Sequence, residues 1–298
     1  MKMKRFSLCA MLACLLAAMN LVAQAQEQPA NNCADVNVPI AGATETDTYA
    51  VNNAGVIAGD YLDSSFVQHG LILGTTGLQT FDGPSGSSSI AAYGINNNNV
   101  AVGWYFDSFG TETSFEYRNG GMHPIAFPNS AGTEANGIND NGWIVGSYLD
   151  SNGVNHGFYW DTKRYHTVDI PGAAQTIAWA INNANLMTVY TETSTGVSMD
   201  AYTFDGAHFK KMDVPGATES VIHGINNKGD IDYTIFDASN NRHGVLYKAA
   251  TGVFTQFDDP NGTNTTRADG INDKDEMVGR YSPSSGNPAN AGFKCTVN

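Results

Sequence analysis

Hydrophobic residues in this chain fall in short runs broken by Gly, Asn and Pro, with almost no helical periodicity. Such a pattern predicts short strands joined by tight turns. Residues 91–105 show it most clearly. A strand ends in Tyr93-Gly94-Ile95-Asn96, an Asn-rich turn follows, and a second strand carries Val100-Ala101-Val102-Gly103-Trp104-Tyr105. The same design returns at Val51-Asn52, Ile138-Asn139, Ile181-Asn182, Ile225-Asn226 and Ile271-Asn272, in steps of 44, 43, 43, 44 and 46 residues. Periods of that length belong to propellers and solenoids.

Each unit opens on a Pro/Gly turn, such as Pro171-Gly172 or Pro215-Gly216, and runs through four strand-like segments. The first ends in Ile-Asn. After a turn such as Asn53-Ala54-Gly55, the second carries a Val-Gly or Ala-Gly pair, as in Val145-Gly146. His69-Gly70, His156-Gly157 and His243-Gly244 mark the third, and Phe81-Asp82 or Phe257-Asp258 the fourth. Asn and Gly at the turns supply the positive φ that tight hairpins need. A β-helix needs a shorter period, and a trefoil would show three units. The expected fold is all-β: a six-bladed β-propeller with four antiparallel strands per blade.

The chain ends fit a closed ring. The last unit stops after its third strand, while a surplus strand, Asp35-Val36-Asn37-Val38, precedes the first unit and matches Met212-Asp213-Val214. The N-terminal strand is therefore expected to complete the last blade and leave no edge exposed. Units four and five depart from the pattern. Met199-Asp200-Ala201-Tyr202 replaces the His-Gly element in unit four, the segment 186–191 lacks Gly, and Asp232-Tyr233-Thr234 replaces Val-Gly in unit five. Those blades are expected to be the least regular.

Composition adds a compartment. Lys2, Lys4 and Arg5 precede an apolar run over residues 6–18, and Ala23-Gln24-Ala25 supplies a small-x-small cleavage site. This reads as a secretory signal peptide, residues 1–25, with the mature domain over 26–298. The run is too short to span a bilayer comfortably, so no membrane span is expected. Two cysteines then remain, Cys33 and Cys295, and in an oxidising compartment they are expected to form one disulfide. The formal charge of −14 becomes −17 without the leader, 12 basic against 29 acidic residues. Such a chain is repelled by phosphate backbones, which argues against nucleic acid as a partner. The expected form is a secreted or periplasmic monomer.

The Pro-Gly-Ala starts at Pro171 and Pro215, the Gly-Ile-Asn core and the His-Gly-Phe element at His156 resemble the HAF family of extracellular repeats. The resemblance covers nearly all of the mature chain. It implies a secreted, repeat-built protein and carries over no catalytic residue.

No nucleophile elbow, His-Glu-x-x-His motif, phosphate-binding Gly loop or Cys cluster appears. Candidate chemistry lies where the repeat breaks its own symmetry. The residue before the small position of each first strand varies around the ring as Tyr49, Tyr93, Asn136, Trp179, His223 and Asp269. Strand alternation sets it opposite the small residues Ala50, Gly94, Gly137, Ala180, Gly224 and Gly270. On the simpler reading, each large side chain fills space left by the neighbouring blade's Gly. On the functional reading, the six ring a channel mouth and bind a sugar or other small polar ligand, or a protein partner. The expected function is non-catalytic binding. The alternative is an extracellular polysaccharide lyase or glycoside hydrolase at one channel mouth, which would need converging carboxylates. Only Asp269 lies in the ring, with Asp47 and Glu134 two residues back on other strands.

The repeated His69, His156 and His243 would be far apart, so each is expected to bond a neighbouring turn rather than a shared metal. Asp63, Asp107, Asp150 and Asp237 read as turn formers. Calcium remains open as a cofactor at Asp140-Asn141-Gly142 and Asp273-Lys274-Asp275-Glu276, although neither run has the alternating carboxylates of an EF-hand loop.

Overall fold

A computed structural model describes residues 31–36, 38–75, 77–192, 200–283 and 290–297. The leader and Met199 lie outside them.

The described chain forms 24 strands and no helix. After β1 (Asn31–Asp35), the first blade comprises β2 (Glu45–Val51), β3 (Ile57–Leu62), β4 (Gln68–Gly74) and β5 (Gly77–Phe81). The second holds β6 (Ser88–Ile95), β7 (Ala101–Phe106), β8 (Glu112–Arg118) and β9 (Gly121–Ile125). The third holds β10 (Gly132–Ile138), β11 (Ile144–Leu149), β12 (Asn155–Trp160) and β13 (Tyr165–Val168). The fourth is built from β14 (Gln175–Ile181), β15 (Met187–Glu192), β16 (Ala201–Phe204) and β17 (Phe209–Lys211). The fifth has β18 (Glu219–Ile225), β19 (Ile231–Phe236), β20 (Arg242–Lys248) and β21 (Val253–Phe257). The sixth joins β22 (Arg267–Ile271), β23 (Glu276–Tyr281) and β24 (Ala291–Val297) to β1, in the order β1-β24-β23-β22. Six four-stranded antiparallel sheets thus form a six-bladed β-propeller, closed by an N-terminal strand as expected, although that strand is Asn31–Asp35 and not the segment from Asp35 to Val38: like Met212-Asp213-Val214 after β17, that segment follows the fourth strand. Cys33 sits opposite Cys295 in the β1–β24 ladder, and a disulfide joins them.

The Ile-Asn signature has a mechanical reason. Each of Asn52, Asn96, Asn139, Asn182, Asn226 and Asn272 turns its own hairpin: its Oδ1 accepts the backbone N–H groups two and four residues on. Its Nδ2 donates to the backbone carbonyl of the equivalent Asn in the next blade, at 2.9–3.1 Å, round to Asn272 on Asn52. A second ring lies beside the first. The backbone N–H of Asn53, Asn97, Asp140, Asn183, Asn227 and Asp273 donates to the following blade's side-chain oxygen at the same position. Both rings close. The fourth turn position has positive φ in every blade: Gly55, Asn99, Gly142, Asn185, Gly229 and Asp275.

One sequence expectation needs correcting. Strict alternation does not hold in the first strands, because each ladder slips at the variable residue, as between Ala92 and Gly94 or Ala268 and Gly270. The variable residue is a β-bulge, unpaired and turned into the channel. The adjacent small residue is not a space for a side chain. A Cβ on Gly137 would lie 2.7 Å from the Trp179 carbonyl oxygen and 2.9 Å from the Ala180 Cα, so the next blade's backbone fills that place.

Blades four and five absorb their departures. Val189 and Tyr233 stand where other blades carry Gly59, Gly103, Gly146 and Gly279, and both blades keep four strands. The irregularity shows as a three-residue β17 and as a longer slip between Ile222 and Ile225.

Candidate functional site

The six variable residues do come together, at mid-height in the channel. Tyr49 meets Tyr93 with ring centroids 4.4 Å apart, Tyr93 meets Trp179 edge-on at 6.1 Å, and Trp179 meets His223 at 5.0 Å. His223 Nε2 lies 3.8 Å from Asp269 Oδ1. Asn136 donates to the Ala178 carbonyl at 3.2 Å. Five of the six are buried, and Tyr93 alone keeps partial exposure. Burial lowers the His223 pKa to about 3, so its imidazole is neutral.

Toward the Asn rings the channel widens into two small chambers of about 70 Å³ each. That is room for a few waters, not for a sugar ring. On this side the six residues form a plug, packed on one another rather than into the neighbouring blade's Gly.

The other mouth, on the side of the Pro/Gly turns, differs. It is walled by residues before the bulges and by their partners on the second strands: Asp47 opposite Asp60, Glu134 opposite Ser147, and Arg267 opposite Arg280. These second-strand residues are the part that the repeat reading missed. They sit two positions beyond the repeated Ala or Val, and their variability was the available signal.

Two features stand out. The first is an aromatic shelf. Partly exposed Trp104 stacks on Tyr93 at 5.2 Å with planes 7° apart and meets Phe106 edge-on at 5.5 Å. Tyr93 continues to Tyr49, and the Arg280 guanidinium lies 4.8 Å above the Tyr49 ring, a cation–π contact. The second is a set of charged groups beside that shelf. Arg280 Nη1 lies 3.5 Å from Asp47 Oδ2 and 3.8 Å from Asp269 Oδ2, and Arg267 Nε donates to Asp269 Oδ1 at 2.8 Å.

Electrostatics separate the carboxyls. Burial alone would raise Asp269, but Arg267 and Arg280 beside it hold it below the usual carboxylate range. Burial, with Asp269 nearby, pushes Asp47 up; burial, with Asp47 nearby, pushes Asp60 well above its ordinary value. Across the mouth, Glu134 accepts a hydrogen bond from Ser147 Oγ at 2.9 Å; burial, helped by Glu112, raises its pKa to about 7.

The remaining sequence candidates serve the outer blades. His69 bridges Asp82 at 2.5 Å and Asp63 at 3.5 Å; His156 and His243 repeat the arrangement with Asp169 and Asp150, and with Asp258 and Asp237. Each thus ties its third strand to a neighbouring turn, as expected. Asp63, Asp107, Asp150 and Asp237 each accept two backbone N–H bonds within their loops. The Asp140 carboxylate accepts the side-chain amides of Asn97 and Asn183, and Asp273 those of Asn53 and Asn227. Off the axis, a groove of about 700 Å³ between blades one and two is lined by Val56, Ile72, Gln79, Val100, Tyr117 and Arg118, among others.

No family model and no characterised protein matches the sequence. Solved structures share the fold. A streptogramin B lyase superposes with a TM-score of 0.51 at 12% identity, covering 90% of this chain and 98% of the other. TolB from Acinetobacter baumannii gives 0.55 at 13%, covering 80% of this chain, which spans only 62% of the length of TolB. The SapL1 lectin in complex with alpha methyl fucoside gives 0.52 at 10%, covering 80% and 88%. At these identities the likeness shows the propeller fold. Among the described residues, no helix is long and apolar enough to cross a membrane.

Proposed function

We propose that this chain is a secreted binding propeller of the HAF-repeat kind, and that its ligand is a carbohydrate held at the mouth on the Pro/Gly-turn side. The carrying observation is the partly exposed Tyr93–Trp104–Phe106 shelf beside buried carboxyls and guanidinium groups. An aromatic face takes the apolar side of a sugar ring, while fixed polar groups take its hydroxyls. The disulfide across the closing blade supports an oxidising compartment. That a lectin of the same fold binds a fucoside is compatible with this reading.

A glycan-array screen of residues 26–298, with and without calcium, tests it. Glycan binding that drops at least tenfold in a folded Trp104→Ala variant is the expected result. Binding unchanged by that substitution would move the site elsewhere, the groove between blades one and two being the next place to probe. Calcium dependence would return the Asp140 and Asp273 turns to consideration.

Glu134 favours a second reading, an extracellular glycoside hydrolase or lyase. A carboxyl that titrates near 7 is poised as a general acid. Release of reducing ends from a polysaccharide by the wild type, abolished in Glu134→Gln, would establish it.

A further inference from the structure

Few arginines occur in this acidic chain, and three of them share one sector of the mouth. Arg267 and Arg280 are cross-strand partners in blade six, and both contact Asp269. Arg242, at the start of β20, bridges to Thr265, two residues before Arg267. Burial, and after it repulsion from both other guanidinium groups, lowers its pKa. The three form a gradient from floor to rim. The Arg280 side chain is 15% exposed, that of Arg267 29%, and Arg242 is an exposed residue.

Three guanidinium groups meet only two ion-paired carboxylates among the described residues, Asp269 and Asp47. Arg267 is paired with Asp269. Arg280 Nη1 pairs with both Asp47 and Asp269, at 3.5 and 3.8 Å, and hydrogen-bonds to neither. Among the described residues, Arg280 Nη1 and Asp269 Oδ2 are buried without a hydrogen-bond partner, as is Asp47 Oδ1. Arg242 lies over the Phe236 ring at 5.8 Å and makes no ion pair with a described residue. Asp60 and Asp47 are pushed toward their neutral forms by burial, and Glu45 accepts a bond from Asn290. In a molecule with a formal charge of −14, a buried guanidinium donor left without a hydrogen-bond partner is costly unless an acceptor completes it.

We infer that this sector reads a carboxylate, and that the bound carbohydrate is an acidic oligosaccharide carrying uronate-type sugars. The inference rests on the carbohydrate reading above and names the class of ligand. The contacts from Arg280 to Tyr49, Tyr93 and Trp104 are continuous. A sugar stacked on Trp104 therefore extends along the shelf, and a later unit delivers its carboxylate to Arg267 and Arg242. The guanidinium fork suits a planar carboxylate, and the buried carboxyl of Asp60 suits hydroxyls.

The test uses a uronate trisaccharide and its carboxyl-reduced, neutral counterpart, titrated calorimetrically against the wild type, Trp104→Ala and the double variant Arg242→Gln/Arg267→Gln. Melting curves check each variant's fold, and Arg242→Gln alone, which breaks no ion pair with a described residue, guards against a misfolded double variant. The expected result is at least tenfold tighter binding of the uronate, a preference weakened by salt and lost in the double variant, with Trp104→Ala weakening both ligands. Equal binding of the two trisaccharides, or a preference that survives the arginine substitutions, overturns the carboxylate inference. If Trp104→Ala still weakens both, the carbohydrate reading stands without it. Binding of neither trisaccharide overturns the inference, and a blank glycan array overturns the broader reading as well.

Discussion

Single residues in this protein are decided by what the neighbouring blade places beside them. Glu134 illustrates this. Its sequence neighbourhood, Thr133-Glu134-Ala135, is unremarkable, yet burial and Glu112 hold its pKa near 7. The folded value is raised above that of the unfolded chain, so the native state binds the extra proton between pH 4.5 and 7. Its contribution is fully present below that window and is lost as pH rises through 7. The stability of Glu134→Gln is therefore expected to fall less than that of the wild type between pH 5 and 8. The difference should be about 2–3 kcal/mol, read from urea melts at each pH. His223 has the opposite sign. Buried and neutral down to about pH 3, it costs stability as pH falls below the ordinary imidazole range, so Glu134 must be isolated by difference from its variant.

At the level of the element, the second-to-third-strand loops share one frame. In blades one, two, three and five an Asp accepts from the residues two and four positions on. The position before the loop's end is left-handed: Gly110, Gly153 and Asn240 in three of these blades, but Phe66 (φ 61°) in the first. A bulky side chain there is strained, and Phe66 is 77% exposed, so it recovers little by burial. Phe66→Gly is expected to stabilise the fold by about 1 kcal/mol in chemical denaturation, relieved strain outweighing the entropy of the added glycine. The loops were legible in the sequence as Asp-led turns. The bulges in the first strands were not, because a two-residue alternation carries no mark of where a ladder slips.

At the scale of the whole molecule, ring closure rests on β1, on the Cys33–Cys295 bond and on the two rings at the Asn turns. Asn139 shows what one member contributes. Its side chain makes four hydrogen bonds, two within its turn and two to the next blade. Each is worth about 1 kcal/mol net, and the buried Asn182 carbonyl would lose a partner. Asn139→Ala is therefore expected to cost about 3–4 kcal/mol, visible as a fall in Tm of roughly 10 °C. A loss below about 1 kcal/mol would show that the rings merely accompany closure.

The sequence by itself determined the number of blades, the closure of the ring by its N-terminal end, the disulfide partners and the turns. All of these follow from local periodicity, turn chemistry and the register of a repeat. Only the tertiary structure decided which side chains face one another around the axis. The repeat places Tyr49, Tyr93, Asn136, Trp179, His223 and Asp269 at equivalent positions, but their packing into a plug depends on the bulge geometry and the channel's width. The arginine sector combines first-, second- and third-strand positions of blades five and six, and the Trp104 shelf first- and second-strand positions of blades one and two. Residues far apart in the chain met there because the ring closed, and no local pattern encodes a distance across an axis.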